Sequence, residues 1–314
     1  MTRLLASIAL AAVGLAALDA SPQQTVFRSA SDTVRVFVTV TDHDGRLITT
    51  LTRDQFEVRD EGKPQPITAF DNSPHPIQLI VMLDVSGSMA GNLPLLRAGC
   101  EQLFARLASD DVARLGAFGR EITVSPEFTH DGAALRAALP TEIPPDAPTP
   151  LWRALDQAMA DFDRSSERRR VLLVLSDGKD APEFSFKQRP VSQGEVIDRA
   201  RSDDVMVYGI GLRSRPTTRP PVGIGRGGLM AALTADLPDP GLARTALETG
   251  GGYTEIRPGE DLGVAFAAVA DELHSQYLLG FAPPRRDGKV HDIEVRISER
   301  GLKPRARKSY VAPR

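Results

Sequence analysis

The feature that most constrains the fold is a nearly all-apolar run over residues 77–83, which stops at Asp84. Such a run suits a strand buried on both faces of a parallel sheet, because a strand with one wet face alternates apolar and polar residues. Two later runs, at 171–175 and 205–212, have the same character, and amphipathic helical patterns lie between the three. This alternation predicts an α/β fold with a doubly wound, mostly parallel sheet.

One carboxylate and two hydroxyls alternate directly after the first run, at Asp84, Ser86 and Ser88, with Gly87 between the serines. Open α/β sheets bind ligands beyond the carboxyl ends of their strands, which is where this segment stands. Mg²⁺ prefers oxygen ligands in near-octahedral geometry, and one Asp with two Ser hydroxyls can supply half of that shell. The same residue types are also common in turns and helix caps, so a purely structural interpretation stays open.

The segment 83–89 resembles the metal-ion-dependent adhesion site of von Willebrand factor type A domains, in which this loop supplies three metal ligands. The resemblance implies a Thr on a second loop and an Asp after a later buried strand. Thr149 stands at the first position, although Pro148 replaces a residue that is usually Gly, and Asp177 follows the run at 171–175. Thr149 also has a structural interpretation, as the N-cap of a helix with Pro150 at its first position.

The resemblance therefore implies one divalent metal site with two carboxylates and three hydroxyls. The expected ion is Mg²⁺, with Mn²⁺ or Ca²⁺ as alternatives. The implied ligands are Asp84, Ser86, Ser88, Thr149 and Asp177.

The two flanks of the α/β region have the period-two alternation of half-buried strands. We predict that they pair with each other and form a small β-sandwich into which the α/β domain is inserted. The predicted organisation is an N-terminal β segment at 21–74, a von Willebrand factor type A domain at 75–275 with a Pro- and Gly-rich insertion at 214–239, and a C-terminal β segment at 276–314. Motifs in both flanks, at 40–45, 51–58, 60–64 and 277–281, also resemble the exported bacterial VWFA-related family described from Acidobacteria.

The first 20 residues are a predicted signal peptide, because Arg3 precedes an Ala- and Leu-rich apolar run that is short for a bilayer span. An uncleaved N-terminal anchor, the only membrane contact expected, is the alternative. We expect an exported protein that is periplasmic, envelope-associated or extracellular. The single cysteine, Cys100, leaves no internal disulfide and falls on the apolar side of a predicted helix. The net charge of −3 gives no reason to expect nucleic-acid binding.

The predicted function is metal-dependent protein binding or adhesion, without enzymatic activity. The implied shell leaves an exchangeable position, which an Asp or Glu of a protein partner can fill. A metal-dependent hydrolase is one alternative, but it needs a base near the metal, and the five histidines form no H-E-x-x-H spacing. A structural envelope component with a vestigial metal site is the other alternative.

Overall fold

The computed structural model of the protein describes residues 33–177, 179–183, 189–212, 240–257 and 259–314. The predicted signal peptide at 1–20 and the predicted insertion at 214–239 lie outside these residues. Within the described ranges, no helix combines the length and the apolar character that a membrane crossing requires.

The described residues form β-strands at both ends of the chain and alternating strands and helices between them. The strands are β1 (Val34–Thr41), β2 (Phe56–Asp60), β3 (Lys63–Gln65), β4 (Ile67–Asp71), β5 (Ile77–Asp84), β6 (Val112–Phe118), β7 (Ile122–Val124), β8 (Arg169–Ser176), β9 (Val205–Leu212), β10 (Tyr253–Ile256), β11 (Tyr277–Phe281), β12 (Val290–Ile297), β13 (Lys303–Arg305) and β14 (Ser309–Val311). The α-helices are α1 (Leu93–Phe104), α2 (Gly132–Ala137), α3 (Leu151–Ala160), α4 (Gln193–Ser202), α5 (Pro240–Thr249) and α6 (Leu262–Leu273).

The central sheet has six strands in the order β10-β9-β8-β5-β6-β7. All neighbouring strands are parallel except β7, which pairs antiparallel with β6. Every residue of β5 is buried, as its nearly all-apolar sequence predicts. The doubly wound, mostly parallel sheet is therefore confirmed.

Helices cover both faces of this sheet, which is why β5 has no wet side. Leu79 and Val81 of β5 share one apolar cluster with buried residues of α1 and α6, including Cys100. Ile80 and Met82 share a second cluster with residues of α3, α4 and α5. Successive side chains of a strand point to opposite faces, so one strand supplies both cores.

The two flanks of the chain build two four-stranded sheets, β13-β1-β11-β4 and β14-β12-β2-β3. Strand β1 pairs antiparallel with β11, and β2 pairs antiparallel with β12, so each sheet contains strands from both ends of the chain. A third apolar cluster contains residues of both sheets, which makes the pair a small β-sandwich, as predicted. Residues 306–308 carry the chain from β13 in one sheet to β14 in the other.

Candidate metal centre

Asp84 is the last residue of β5 and is fully buried. Its Oδ1 accepts a hydrogen bond from the backbone N–H of Ser86 at 2.8 Å, and its Oδ2 accepts one from the hydroxyl of Ser176. Ser176 ends β8, the parallel neighbour of β5, so the second bond joins the carboxyl ends of two adjacent strands. Sequence reasoning misses this role of Ser176, and the only available signal is its place at the end of the buried run.

Burial raises the pKa of the Asp84 carboxyl from 3.8 to about 6. Hydrogen bonds from Ser176 and Ser86 act in the opposite direction, and the nearby charge of Asp177 raises the pKa further. A buried carboxylate with a second carboxylate close by is an unfavourable arrangement for two negative charges. A divalent cation between them would reverse this cost, so the electrostatics of the pair fit a cation site.

The first loop continues through two serines on either side of Gly87. Ser86 is buried and Ser88 is exposed, and their hydroxyl oxygens lie 3.1 Å apart. A Cβ on Gly87 would come within 1.8 Å of the carbonyl oxygen of Pro145, and the Gly87 N–H donates to the carbonyl of Ala147 at 3.1 Å. Glycine is therefore required here by the close approach of the second loop.

The second loop carries Thr149, which is buried and paired with the third loop. The N–H of Thr149 donates to the carbonyl of Ala181 at 2.9 Å, and the N–H of Ala181 donates back at 2.8 Å. Pro148 is compatible with these contacts between loops. The hydrogen bonds to the first and third loops are made by Ala147 and Thr149, so no N–H is needed at position 148.

The structure corrects the prediction that Thr149 is the N-cap of the following helix. Helix α3 begins at Leu151, and Pro150 is its N-cap residue. Both backbone polar groups of Thr149 are engaged in the bridge to Ala181, which holds Thr149 in an extended segment before the helix. Its side chain is therefore not needed as a cap.

The third loop starts after β8 with Asp177, which is 6% exposed. Its Oδ1 accepts a long hydrogen bond from the N–H of Lys179, at 3.5 Å. The three loops thus meet at the carboxyl edge of β5 and β8, joined through Ser176, Gly87 and Thr149. Of the five candidate ligands, only Ser88 is exposed.

Two other groups of His and acidic side chains come close together among the described residues, and both lie in the β segments. Asp42, His43 and Asp44 form an exposed group at a turn, where the carboxylate of Asp42 already accepts two backbone N–H groups. In the second group, with Asp60 and Glu61, both ring nitrogens of His291 already contact carboxylates. Neither group lies at the carboxyl edge of the central sheet.

Residues 78–220 match the family model of the von Willebrand factor type A domain. The chain contains a von Willebrand factor type A domain. The match includes all five candidate ligands. Domains of this type generally mediate protein–protein interaction or adhesion.

Several solved structures are similar to the chain. A von Willebrand factor type A protein from Catenulispora acidiphila is 12% identical, with 91% of this chain and 76% of that chain covered and a TM-score of 0.49. An aerotolerance-related membrane protein from Bacteroides fragilis is 17% identical, with 63% and 98% covered and a TM-score of 0.45. Proximal thread matrix protein 1 from the mussel byssus is 13% identical, with 76% and 50% covered and a TM-score of 0.47. No curated protein matches the chain in sequence.

Proposed function

We propose that this von Willebrand factor type A domain binds a divalent cation and uses it to bind a protein partner. The proposed ion is Mg²⁺, with Mn²⁺ or Ca²⁺ as alternatives. The observation that supports the proposal most is that three loops are hydrogen-bonded to one another at the sheet edge that carries Asp84, a buried carboxylate whose pKa is raised to about 6. The proposed ligands are Asp84, Ser86, Ser88, Thr149 and Asp177.

Each of the three loops has a distinct part in the proposed site. Asp84 is fixed by two hydrogen bonds and would hold the cation from the end of β5. Thr149 and Asp177 would hold it from the second and third loops. A bound cation supplies a positive charge and an open coordination position, which an Asp or Glu of a partner can fill. Ser88, as the exposed ligand, stands on the side that a partner can approach.

We further propose that the domain is not an enzyme and that the protein is exported. The first proposal is supported by His274 and His291, which each contact a carboxylate outside the site and are therefore engaged elsewhere. Export rests on the residue pattern of 1–20. A hydrolase would need a base next to the cation, and screens for phosphoesterase and peptidase activity in Mg²⁺ test for one. Turnover that disappears in Thr149→Ala would favour the hydrolase alternative.

Isothermal titration calorimetry with Mg²⁺ tests the metal site on protein first stripped with EDTA. We expect wild type to bind one ion and Thr149→Ala to bind at least about tenfold more weakly, a loss of about 1.4 kcal/mol. Thr123→Ala is the matched control, because Thr123 is exposed on the edge strand β7, and its affinity should equal that of wild type. Absence of binding to wild type, or equal affinities in all three proteins, would contradict the metal site.

Partner binding requires a second experiment with the immobilised full chain. Envelope proteins of the producing cell are applied in Mg²⁺, and we expect a partner that elutes with EDTA and is not retained by Thr149→Ala. Replacing exposed Asp and Glu residues of that partner by Asn and Gln should then identify one acidic side chain that retention requires. A partner that stays bound in EDTA would show that binding does not depend on the cation.

A further inference from the structure

A cavity of about 30 Å³ lies where the β-sandwich meets the α/β domain. Its wall is built by β1, α4, the start of β9, the end of α5 and the C-terminal segment at 306–309. Four arginines and two acidic residues line it: Arg35, Arg169, Arg201, Arg307, Asp204 and Glu248. Arg201 pairs with Asp198, Arg307 pairs with Asp204, and Arg35 lies 3.9 Å from Glu167, so much of the positive charge of the wall is already balanced.

Arg169, the first residue of β8, is the most buried of these arginines, at 8% exposed. Its guanidinium donates to the carbonyl of Leu273 at 2.8 Å and to the side-chain oxygen of Gln276, and it lies 4.5 Å from the ring centre of Phe37. These partners are all uncharged, and its Nε has no hydrogen-bond acceptor among the described residues. The carboxylates of Glu272, Asp111 and Asp204 are close enough to stabilise its charged form, but none of them accepts a hydrogen bond from its Nε. What Arg169 lacks is therefore an acceptor for one buried N–H group.

Arg307 also lines the cavity and has a guanidinium group with one N–H that lacks an acceptor among the described residues. One of its terminal nitrogens pairs with Asp204 at 2.6 Å, and the other donates to the carbonyl of Arg35. Its Nε is also buried and lacks an acceptor within the described part of the chain. Buried donors of charged groups are rarely left without an acceptor, so two of them at one cavity point to an acceptor that occupies it.

We propose that this cavity binds a small inorganic anion, held by the guanidinium groups of Arg169 and Arg307 with Arg35 and Arg201 at its wall. An anion of this kind would accept charge-assisted hydrogen bonds from the two Nε–H groups that lack an acceptor. The volume limits the occupant to the size of an ion such as chloride or phosphate. Because the cavity wall comes from both modules, the anion would fasten the β-sandwich to the α/β domain.

The proposed anion site is separate from the candidate metal centre. Arg169 begins the eight-residue strand β8, and Ser176, which contacts Asp84, ends it. At a rise of about 3.3 Å per residue, the two sites lie about 23 Å apart along the strand. The anion proposal therefore does not depend on metal binding.

Thermal unfolding of the full chain in EDTA tests the proposal without any contribution from the metal site. Sodium chloride and sodium phosphate are each compared with sodium gluconate at equal ionic strength, since gluconate is too large for the cavity. We expect Tm to rise by about 2 °C or more in at least one of the two salts for wild type. Calorimetric titration of wild type with the same salt should show saturable binding.

Two charge-matched variants separate the cavity from general salt effects. Arg307→Gln should lose the anion-specific rise in Tm, whereas Arg296→Gln, at an exposed position on β12, should keep it. Phosphate also raises the Tm of many proteins that have no phosphate-binding site, and this general rise should be equal in both variants. If Arg307→Gln does not fold, Arg35→Gln replaces it, because the Arg35 side chain is 47% exposed. Equal salt responses in wild type and all variants, or no saturable binding to wild type, would overturn the proposal.

Discussion

Replacing Asp84 by Asn should stabilise the metal-free protein at neutral pH while abolishing its stabilisation by Mg²⁺. Asn keeps the shape of the side chain, and its oxygen can still accept the hydrogen bond from the N–H of Ser86. Its amide group can donate to the hydroxyl oxygen of Ser176. The substitution therefore removes a buried negative charge without leaving either neighbour unpartnered.

The magnitude follows from the pKa of Asp84, which is about 6 in the folded protein against a reference value of 3.8. The raised pKa means that folding disfavours the charged form, so this carboxylate begins to destabilise the metal-free protein above the reference pKa and does so fully above the folded pKa. The difference of about two units, at 1.36 kcal/mol per unit, corresponds to about 3 kcal/mol at about pH 7.5. The cost falls to about 1 kcal/mol at about pH 4.5 and disappears below the reference pKa.

Urea unfolding measures this difference through the fluorescence of the single tryptophan, Trp152, which is buried in α3 close to the second loop. In EDTA at about pH 7.5 we expect Asp84→Asn to be more stable than wild type by up to about 3 kcal/mol, and the gap should shrink on acidification. In excess Mg²⁺ the order should reverse, because only wild type gains free energy from the ion.

Asp146→Asn is the control for this experiment, because it removes one negative charge from an exposed position on the second loop. Its stability should match that of wild type in EDTA at every pH. If Asp84→Asn were no more stable than wild type in EDTA at about pH 7.5, the argument that burial holds Asp84 at an electrostatic cost would be wrong.

Two further predictions concern backbone contacts of the α/β domain. Gly87→Ala should lower Tm by several degrees and remove the calorimetric signal of Mg²⁺, because its Cβ would lie 1.8 Å from the carbonyl oxygen of Pro145. Gly91→Ala is the control, because no atom lies within 4 Å of its Cβ, and it should match wild type in both measurements. Asp111 is buried, which would raise its pKa, but hydrogen bonds from a histidine ring and two backbone N–H groups lower the pKa below 3.8. Asp111→Asn should therefore cost about 1–3 kcal/mol in urea at neutral pH. The difference from wild type should disappear as the pH falls through the lowered pKa, and the exposed neighbour variant Asp110→Asn should show no such difference.

The central sheet could be predicted because its evidence is local in the sequence. The mostly apolar runs at 77–83, 171–175 and 205–212 are of strand length and rich in branched side chains, which favours strands covered on both faces, and the helical patterns between them supply the cover. Asp84 and Asp177 follow two of these runs, so parallel pairing of the strands is enough to bring them to one edge. Thr149 follows no strand, and only the family resemblance places it at the site.

Contacts between distant residues could not be predicted in the same way. Glu272 lies near the end of α6 and accepts hydrogen bonds from the hydroxyls of Tyr208 and Thr39 and from Arg305. In the sequence, Glu272 is indistinguishable from an acidic residue on the solvent-exposed face of a helix. Its burial depends on where three other segments pass, and no periodicity within α6 carries that information.

The same limit explains the wrong prediction at Thr149. Thr followed by Pro is a favourable sequence for the start of a helix. In the structure, however, the N–H and the C=O of Thr149 both form hydrogen bonds with Ala181. A contact across 32 residues, from 149 to 181, therefore decided where α3 begins.

The pairing of β1 with β11 sets the order in which this chain can fold during synthesis. Val34 pairs with Phe281, a sequence separation of 281 − 34 = 247 residues between partners in one sheet. At about 5–20 residues per second, a ribosome needs roughly 10–50 s to make that stretch. During this interval the first strands have no partner to complete their sheet, while the α/β domain can already assemble its own core. The N-terminal strands are thus the part of the nascent chain that most needs protection from aggregation.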